Sequence, residues 1–155
     1  MSRARQSRTR TATVGMIATA HLVLATAGAL ANGESPSVAY RLHCQGCHFE
    51  DGMGTKEGGV PPLPGVAGHF LKHDMGRLYL IHVPGVTNAG LPDDETAALL
   101  NYVLTKWGAK ELPADFVPFT GEEVHSLRQT PLDDITKLRR NILSDLEKRG
   151  IKPSN

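Results

Sequence analysis

The sequence predicts an all-α protein, and three observations support this prediction. Helix start signals recur along the chain, with a cap residue before a proline at Ser35-Pro36 and again at Thr130-Pro131. Glycines at positions 108 and 150 are placed to stop the helices before them. Residues 61–65, Pro-Pro-Leu-Pro-Gly, lack most of the amide donors that a helix or an inner strand needs.

The stretch from Cys44 to His48, which we call the attachment motif, reads Cys-Gln-Gly-Cys-His. C-x-x-C-H is the attachment signature of a c-type haem. The two thiols add across the two vinyl groups of the porphyrin, and the adjacent histidine serves as the proximal iron ligand. The sequence therefore predicts one covalent haem c, bound by Cys44, Cys47 and His48, with His48 on the iron.

Two other kinds of site contain the same cysteine spacing. A thioredoxin-like dithiol would lie in a βαβ pattern of apolar strands, and this region has none. A structural zinc needs four ligands, usually with a second Cys or His pair. Cys44 and Cys47 are the only cysteines, and the seven histidines form no matching pair. The pattern therefore favours haem.

The first 31 residues have the order of a secretory signal peptide. Four arginines lie between positions 3 and 10, an apolar stretch runs from about Thr13 to Leu30, and Ala29-Leu30-Ala31 forms an A-x-A cleavage site. An uncleaved membrane anchor is the alternative, because the apolar run approaches the ~20 residues that span a bilayer. The absence of an Arg-Arg pair favours the general secretory route. We expect a bacterial periplasmic protein, consistent with haem attachment outside the cytoplasm.

Cleavage after Ala31 leaves 124 residues, enough for one small domain. These residues include 13 basic and 16 acidic side chains, a formal net charge of −3. No basic patch appears, so we expect no nucleic-acid partner. The sequence shows no paired carboxylates in a plausible cleft, no Ser-His-Asp pattern and no Gly-rich phosphate loop. We therefore do not expect an enzyme.

Three helices are predicted before residue 110. The first begins at Ser35-Pro36 and enters the attachment motif. The second runs from about His69 to Val83, with a break near Gly76, and is stopped by Pro84-Gly85. The third opens at Pro92 with acids in its first turn and ends at Trp107 before a glycine.

Residues from about 35 to 108 resemble a class I cytochrome c domain. The similarity is carried by the attachment motif and its helix, Asp51-Gly52-x-Gly54, Pro61-Pro62-Leu63, and the last helix with Leu91-Pro92-Asp93-Asp94-Glu95 and Asn101-Tyr102-Val103-Leu104. The resemblance implies a cytochrome c-like fold over residues 32–109, wrapped around one covalent haem. It also implies that the Pro61 carbonyl accepts from the second ring nitrogen of His48, and that Tyr40 meets Tyr102 where the first and last helices cross.

The sequence departs from this family at the sixth iron ligand. The family has a methionine shortly before the last helix, but here the loop reads Val86-Thr87-Asn88-Ala89-Gly90. We expect no ligand from this loop. The alternatives are Met75, His82 or an open site, and His69, His73 and Met53 are further candidates.

The residues after the domain, 110–155, form what we call the C-terminal tail. It is predicted to contain a short linker, a helix opened by the capping box Thr120-Gly121-Glu122-Glu123, and a longer helix starting at Thr130-Pro131. Apolar residues recur at near-helical spacing in the longer helix, at Leu132, Ile135, Leu138, Ile142 and Leu146. This stripe either packs on the haem domain, which we expect, or docks a partner protein.

These features predict an electron carrier of the periplasm, working with redox partner proteins such as a dehydrogenase or an oxidase. Val83-Pro84-Gly85-Val86 resembles small single-haem cytochromes associated with quinoprotein amine dehydrogenases. The alternative function is a haem-based binder of a small gas, or a haem subunit with an open sixth position. Contact with a membrane is expected only if the first segment stays uncleaved.

Overall fold

A computed structural model describes residues 33–153, and the predicted signal peptide lies outside this range. The described residues contain eight helices and one isolated antiparallel bridge between Thr55 and Val60, so the all-α prediction is confirmed. None of these helices combines the length and the apolar character needed to cross a membrane. The helices are α1 (Pro36–His43), α2 (Gln45–His48), α3 (Ala67–Phe70), α4 (Gly76–His82), α5 (Pro84–Thr87), α6 (Asp93–Trp107), α7 (Gly121–Arg128) and α8 (Ile135–Lys148).

Helices α1 and α6 cross at three aromatic rings, which we call the aromatic cluster: Tyr40, Tyr102 and Trp107. The ring centroids of Tyr40 and Tyr102 are 6.2 Å apart, and those of Tyr40 and Trp107 are 4.4 Å apart. The meeting of the two tyrosines that the family resemblance implied is therefore present. Buried Ala39, Leu99 and Val103 complete the contact and hold α1 against α6. This crossing fixes the helix that leads into the attachment motif.

The helix that we predicted over 69–83 is wrong in its bounds, because the chain forms α3 and α4 with a turn between them. The predicted break near Gly76 is present, and Gly76 is the first residue of α4. A Cβ atom at Gly76 would lie 1.8 Å from the Phe70 carbonyl oxygen, so only glycine allows the two backbones to meet here. The Phe70 and Tyr79 rings then stack at 4.4 Å.

The larger apolar core joins the tail to the rest of the chain. Val124 of α7 and Ile142 and Leu146 of α8 have no exposed surface, and they pack with Ile81 of α4 and Leu104 of α6. The stripe on α8 therefore faces the haem domain, as we expected, instead of standing free in solvent. Two arginines of the tail also contact the rest of the chain. Arg139 hydrogen-bonds the Tyr79 side chain, and Arg149 donates to the Lys72 carbonyl at 2.8 Å.

Of the predicted caps of α1, α7 and α8, only that of α7 is present as predicted. Ser35 stands at the N-cap of α1 but its hydroxyl pairs with that of Ser37 at 3.3 Å and caps nothing. Thr120 does cap α7, accepting from the Glu123 amide at 3.2 Å. Helix α8 begins at Ile135 instead of Thr130, because Asp134 accepts from the Lys137 amide at 2.8 Å and provides the stronger cap.

Candidate haem attachment site

The attachment motif is a single helical turn that follows directly on α1. Helix α1 ends at His43, Cys44 has a non-helical backbone, and α2 begins at Gln45. The Cys44 carbonyl accepts from the amides of Cys47 and His48, at 3.1 Å and 2.9 Å. This turn places two cysteines three residues apart on the same side of the backbone, and the two form no disulfide. The arrangement suits two bonds to one edge of a planar group.

The electrostatics of the cysteine pair differ from those of a redox dithiol. Burial, and then the neighbouring Cys47, raises the pKa of the Cys44 thiol from 9.0 to about 11. Reactive Cys-x-x-C pairs have a lowered thiol pKa, because nearby positive charge or a helix N-terminus stabilises the thiolate. Within residues 33–153, no three His, Cys, Asp or Glu side chains converge to hold a metal ion. The four protein ligands of a structural zinc therefore do not meet in the described part of the chain.

His48 is half-buried, and its Nδ1 is buried without a hydrogen bond of normal geometry. Burial lowers the pKa of the imidazole, while the backbone of Pro61 opposes this and raises it. The ring is therefore held neutral, which is the form that binds a metal. One nitrogen of the imidazole is thus buried against the protein, with the backbone of Pro61 close to the ring.

The loop after the motif ties Pro61 to His48 through its glycines. The Gly54 amide donates to the His48 carbonyl at 3.1 Å, and the Leu63 amide donates to the Gly52 carbonyl at 2.8 Å. Gly54 has a φ of 64°, and a Cβ atom there would lie 2.4 Å from the Val60 oxygen and 2.9 Å from the Pro61 oxygen. The spacing Gly52-x-Gly54 thus lets the loop fold tightly beside the imidazole.

One residue of this site was missed by the sequence analysis. Phe49, directly after His48, has φ 59° and ψ 179°, and it is the one non-glycine residue with positive φ in the described range. Its carbonyl accepts a hydrogen bond of 2.7 Å from the Tyr40 hydroxyl. Nothing in the sequence signals this conformation, because the usual marker of positive φ is a glycine or an asparagine.

Large apolar side chains that are exposed in the polypeptide flank the motif in sequence. Leu42, Phe49 and Met53 have exposed fractions of 63%, 49% and 52%. Apolar side chains that are exposed next to a proposed attachment motif are available to contact an apolar cofactor. Together with the paired thiols and the unpartnered Nδ1 of His48, they fit a covalently attached haem.

Two of the candidate distal ligands are engaged elsewhere. His69 contacts Lys72, at 3.3 Å between Nδ1 and Nζ, and burial and then Lys72 lower the pKa of His69, with the nearby Glu111 opposing them. The Nδ1 of His73 accepts from the Met75 amide at 3.0 Å, and its Nε2 lies 3.9 Å from Asp145 of α8. Both histidines therefore contact their own turn or the tail.

The other candidates have freer side chains. Met53 and Met75 are exposed, at 52% and 41%. The Nδ1 of His82 lies 2.9 Å from the Leu78 carbonyl, which makes Nδ1 the donor and leaves Nε2 with a lone pair. In the loop before α6, the Thr87 hydroxyl bonds to the carbonyls of Val83 and Pro84. That loop keeps no strong donor for iron.

Comparison with known proteins identifies the family. No protein-family model matches the chain. Two curated relatives do, both named cytochrome c-552 and both from Thermus thermophilus. The first is 33% identical over 143 residues, covering 81% of this chain and 93% of the relative. The second is 35% identical over 127 residues, covering 70% and 92%.

An all-α fold with a C-x-x-C-H turn defines a c-type cytochrome. With relatives at this level of identity over nearly their whole length, the chain belongs to the class I c-type cytochromes. It carries a covalently bound haem c and is an electron-transfer protein that acts with redox partner proteins. The first match covers 81% of the chain, so the similarity extends beyond residues 32–109 alone.

Proposed function

We propose that this protein is an exported, periplasmic electron carrier with no catalytic activity of its own. In this proposal Cys44 and Cys47 hold the haem through two thioether bonds, and His48 is the proximal iron ligand. The observation that carries the proposal is the geometry of His48, a neutral imidazole whose Nδ1 is buried beside the Pro61 backbone. When bound, the haem supplies an iron that cycles between two oxidation states.

The protein's own residues then orient and shield the cofactor. The crossing of α1 and α6 fixes the attachment turn, since Tyr40 is only 2% exposed and packs on Trp107. Pro61 and Gly54 orient the His48 ring, because the Gly54 amide bonds to the His48 carbonyl and the Pro61 backbone lies beside the imidazole. A ligand held by such a shell changes little between oxidation states, which favours rapid electron transfer.

The proposal includes the division of the chain. Residues 1–31 act as a cleaved signal peptide, residues 32–109 form the haem domain, and residues 110–155 form the linker and helical extension.

The mature chain, with a formal net charge of −3 before the haem propionates are counted, is acidic. A periplasmic dehydrogenase is the proposed electron donor, and a partner with a basic docking surface would be steered to it. An oxidase is the corresponding acceptor.

The proposed attachment residues are tested by asking whether haem stays covalently bound to the polypeptide. We expect haem to remain with the wild-type polypeptide after acid-acetone extraction, because thioether bonds survive this treatment. Cys44→Ser and Cys47→Ser should prevent normal maturation, and His48→Gln should alter the haem spectrum. His43→Gln is the matched control, since His43 adjoins the motif but is exposed. Haem released from the wild-type protein into the solvent would refute the proposed attachment.

A second function is favoured by one specific observation, the absence of methionine and histidine from residues 86–90. An iron with an open sixth position would bind a small gas instead of serving only as a carrier. The absorption spectrum of the reduced protein with and without carbon monoxide separates the two functions. A carrier with six ligands shows little change, while an open site gives an immediate carbon monoxide complex.

A further inference from the structure

The backbone of Phe49 is held in a conformation that is normally restricted to glycine. Its φ of 59° and ψ of 179° lie in a region where a Cβ atom crowds the neighbouring backbone. Such a conformation persists only when the surrounding structure imposes it, and such residues concentrate at functional sites. Phe49 directly follows the proposed iron ligand, so the cause of its conformation bears on that ligand.

Two hydrogen bonds hold the Phe49 residue from opposite sides. Its amide donates to the Gln45 carbonyl at 2.9 Å and ends α2, while its carbonyl accepts from the Tyr40 hydroxyl at 2.7 Å. Tyr40 is fixed in turn by the aromatic cluster, with Trp107 at 4.4 Å. Burial raises the pKa of the Tyr40 hydroxyl to about 12, so this group remains a donor at neutral pH.

The backbone of His48 is restrained next to Phe49, whose own carbonyl is held one peptide further along the chain by Tyr40. The His48 carbonyl, which belongs to the peptide shared with Phe49, accepts from the Gly54 amide at 3.1 Å. The His48 amide donates to the Cys44 carbonyl at 2.9 Å, so the peptides before and after His48 are both held, and the Cα–Cβ direction of His48 is held with them. A flip of the Phe49 conformation would break this arrangement and turn the imidazole.

We infer that Tyr40 is a positioning residue for the axial ligand. Its hydroxyl holds Phe49 in the strained conformation and thereby sets the orientation of the His48 ring. This inference rests on the proposed function, in which His48 binds the haem iron. The packing of the Tyr40 ring stabilises the helix crossing, whereas the hydroxyl has this separate effect on the ligand.

The test uses the full holoprotein with three variants. Tyr40→Phe removes the hydroxyl and keeps the ring. Tyr40→Phe combined with Phe49→Gly also removes the strain, because glycine adopts this conformation freely. Tyr102→Phe is the matched control, since it removes another hydroxyl from the aromatic cluster. The Tyr102 hydroxyl accepts from the exposed Lys106 at 3.0 Å and is not hydrogen-bonded to Phe49. The readouts are the reduction potential and the ferric electron paramagnetic resonance spectrum.

We expect Tyr40→Phe to shift both readouts away from wild type, the double variant to return toward wild type, and Tyr102→Phe to leave both unchanged. If Tyr40→Phe does not load haem, recovery of the loaded protein in the double variant supports the inference, and failure of both overturns it. Wild-type readouts in Tyr40→Phe, with only a lower melting temperature, also overturn it. An unchanged haem spectrum in His48→Gln would instead refute the proposed function.

Discussion

Arg77 of α4 and Glu123 of α7 form a two-point ion pair across the junction between the haem domain and the tail. The guanidinium donates from Nε and Nη2 to both carboxylate oxygens, and Nη1 donates to the Val117 carbonyl at 2.9 Å. The same guanidinium lies 3.8 Å from the centroid of the Phe119 ring. Both oxygens of the Glu123 carboxylate therefore bond to Arg77, while the backbone amide of Glu123 donates to the Thr120 side chain that caps α7.

We expect Glu123→Gln to lower the free energy of unfolding by about 1–3 kcal/mol, because it leaves a partly buried guanidinium without its charged partner. Glu122→Gln is the control, since Glu122 is exposed on the same turn. Chemical denaturation of the holoprotein measures both. Equal stability of the two variants would show that the pair contributes nothing.

The tail is predicted to stabilise the protein without contributing to partner recognition. Leu146→Ala should cost about 2–5 kcal/mol, because the side chain has no exposed surface and its removal leaves a cavity. The exposed neighbour Glu147 serves as the control in Glu147→Ala. Reduction rates by a partner dehydrogenase should be unchanged in both. A stable Leu146→Ala protein that is reduced slowly would indicate a docking helix instead.

Gly54 and Gly59 provide a matched pair for testing the loop beside His48. Both have positive φ, 64° and 68°, so alanine should cost about 1–2 kcal/mol at either position. Only at Gly54 would the new Cβ atom meet backbone, at the Val60 and Pro61 oxygens. We expect Gly54→Ala to lose more stability and also to shift the reduction potential. Equal effects at both positions would contradict this reading of the loop.

His69 should make stability depend on pH. Burial and then Lys72 lower its pKa below 6.5, with Glu111 opposing. As the pH falls below 6.5, the imidazole of His69 takes up a proton in the unfolded chain before it does so in the folded chain. The contribution of His69 to the stability of the fold is therefore complete above pH 6.5 and is lost as the pH falls through the folded pKa. His69→Gln should flatten the fall in unfolding free energy between about pH 7.5 and about pH 5.5. Parallel curves for His69→Gln and wild type would remove His69 as the cause.

The sixth iron ligand is the prediction with three distinguishable outcomes. If Met75 binds, the far-red charge-transfer band typical of ferric haem–methionine should be present and should vanish in Met75→Leu. If His82 binds, that band should be absent, the potential should be lower, and His82→Ala should admit carbon monoxide. If neither binds, the wild-type protein should take carbon monoxide directly. A ligand from residues 86–90 would show that our expectation for this loop is wrong.

Much of the fold followed from local signals. Pro36, the acids after Pro92 and the glycine after Trp107 marked helix ends correctly, because these effects act over one turn of backbone. The start of α8 at Ile135 was mispredicted because Thr130-Pro131 and Asp134 are both acceptable caps by sequence. The sequence also indicated a break near Gly76, but it did not show that the Phe70 carbonyl approaches this glycine so closely, because that contact depends on how α3 and α4 pack.

The sequence by itself predicted the covalent attachment of haem, since Cys44, Cys47 and His48 lie within five residues and have the spacing of the C-x-x-C-H signature. It also determined which residues form the apolar stripe of α8, because the helical period fixes a face. Only the tertiary structure decided what that face covers, how Tyr40 reaches the Phe49 carbonyl, and that Arg77 pairs with Glu123. Each of these contacts joins residues that are distant along the chain or held in strained backbone. Their energies depend on the whole packed core, which local sequence does not specify.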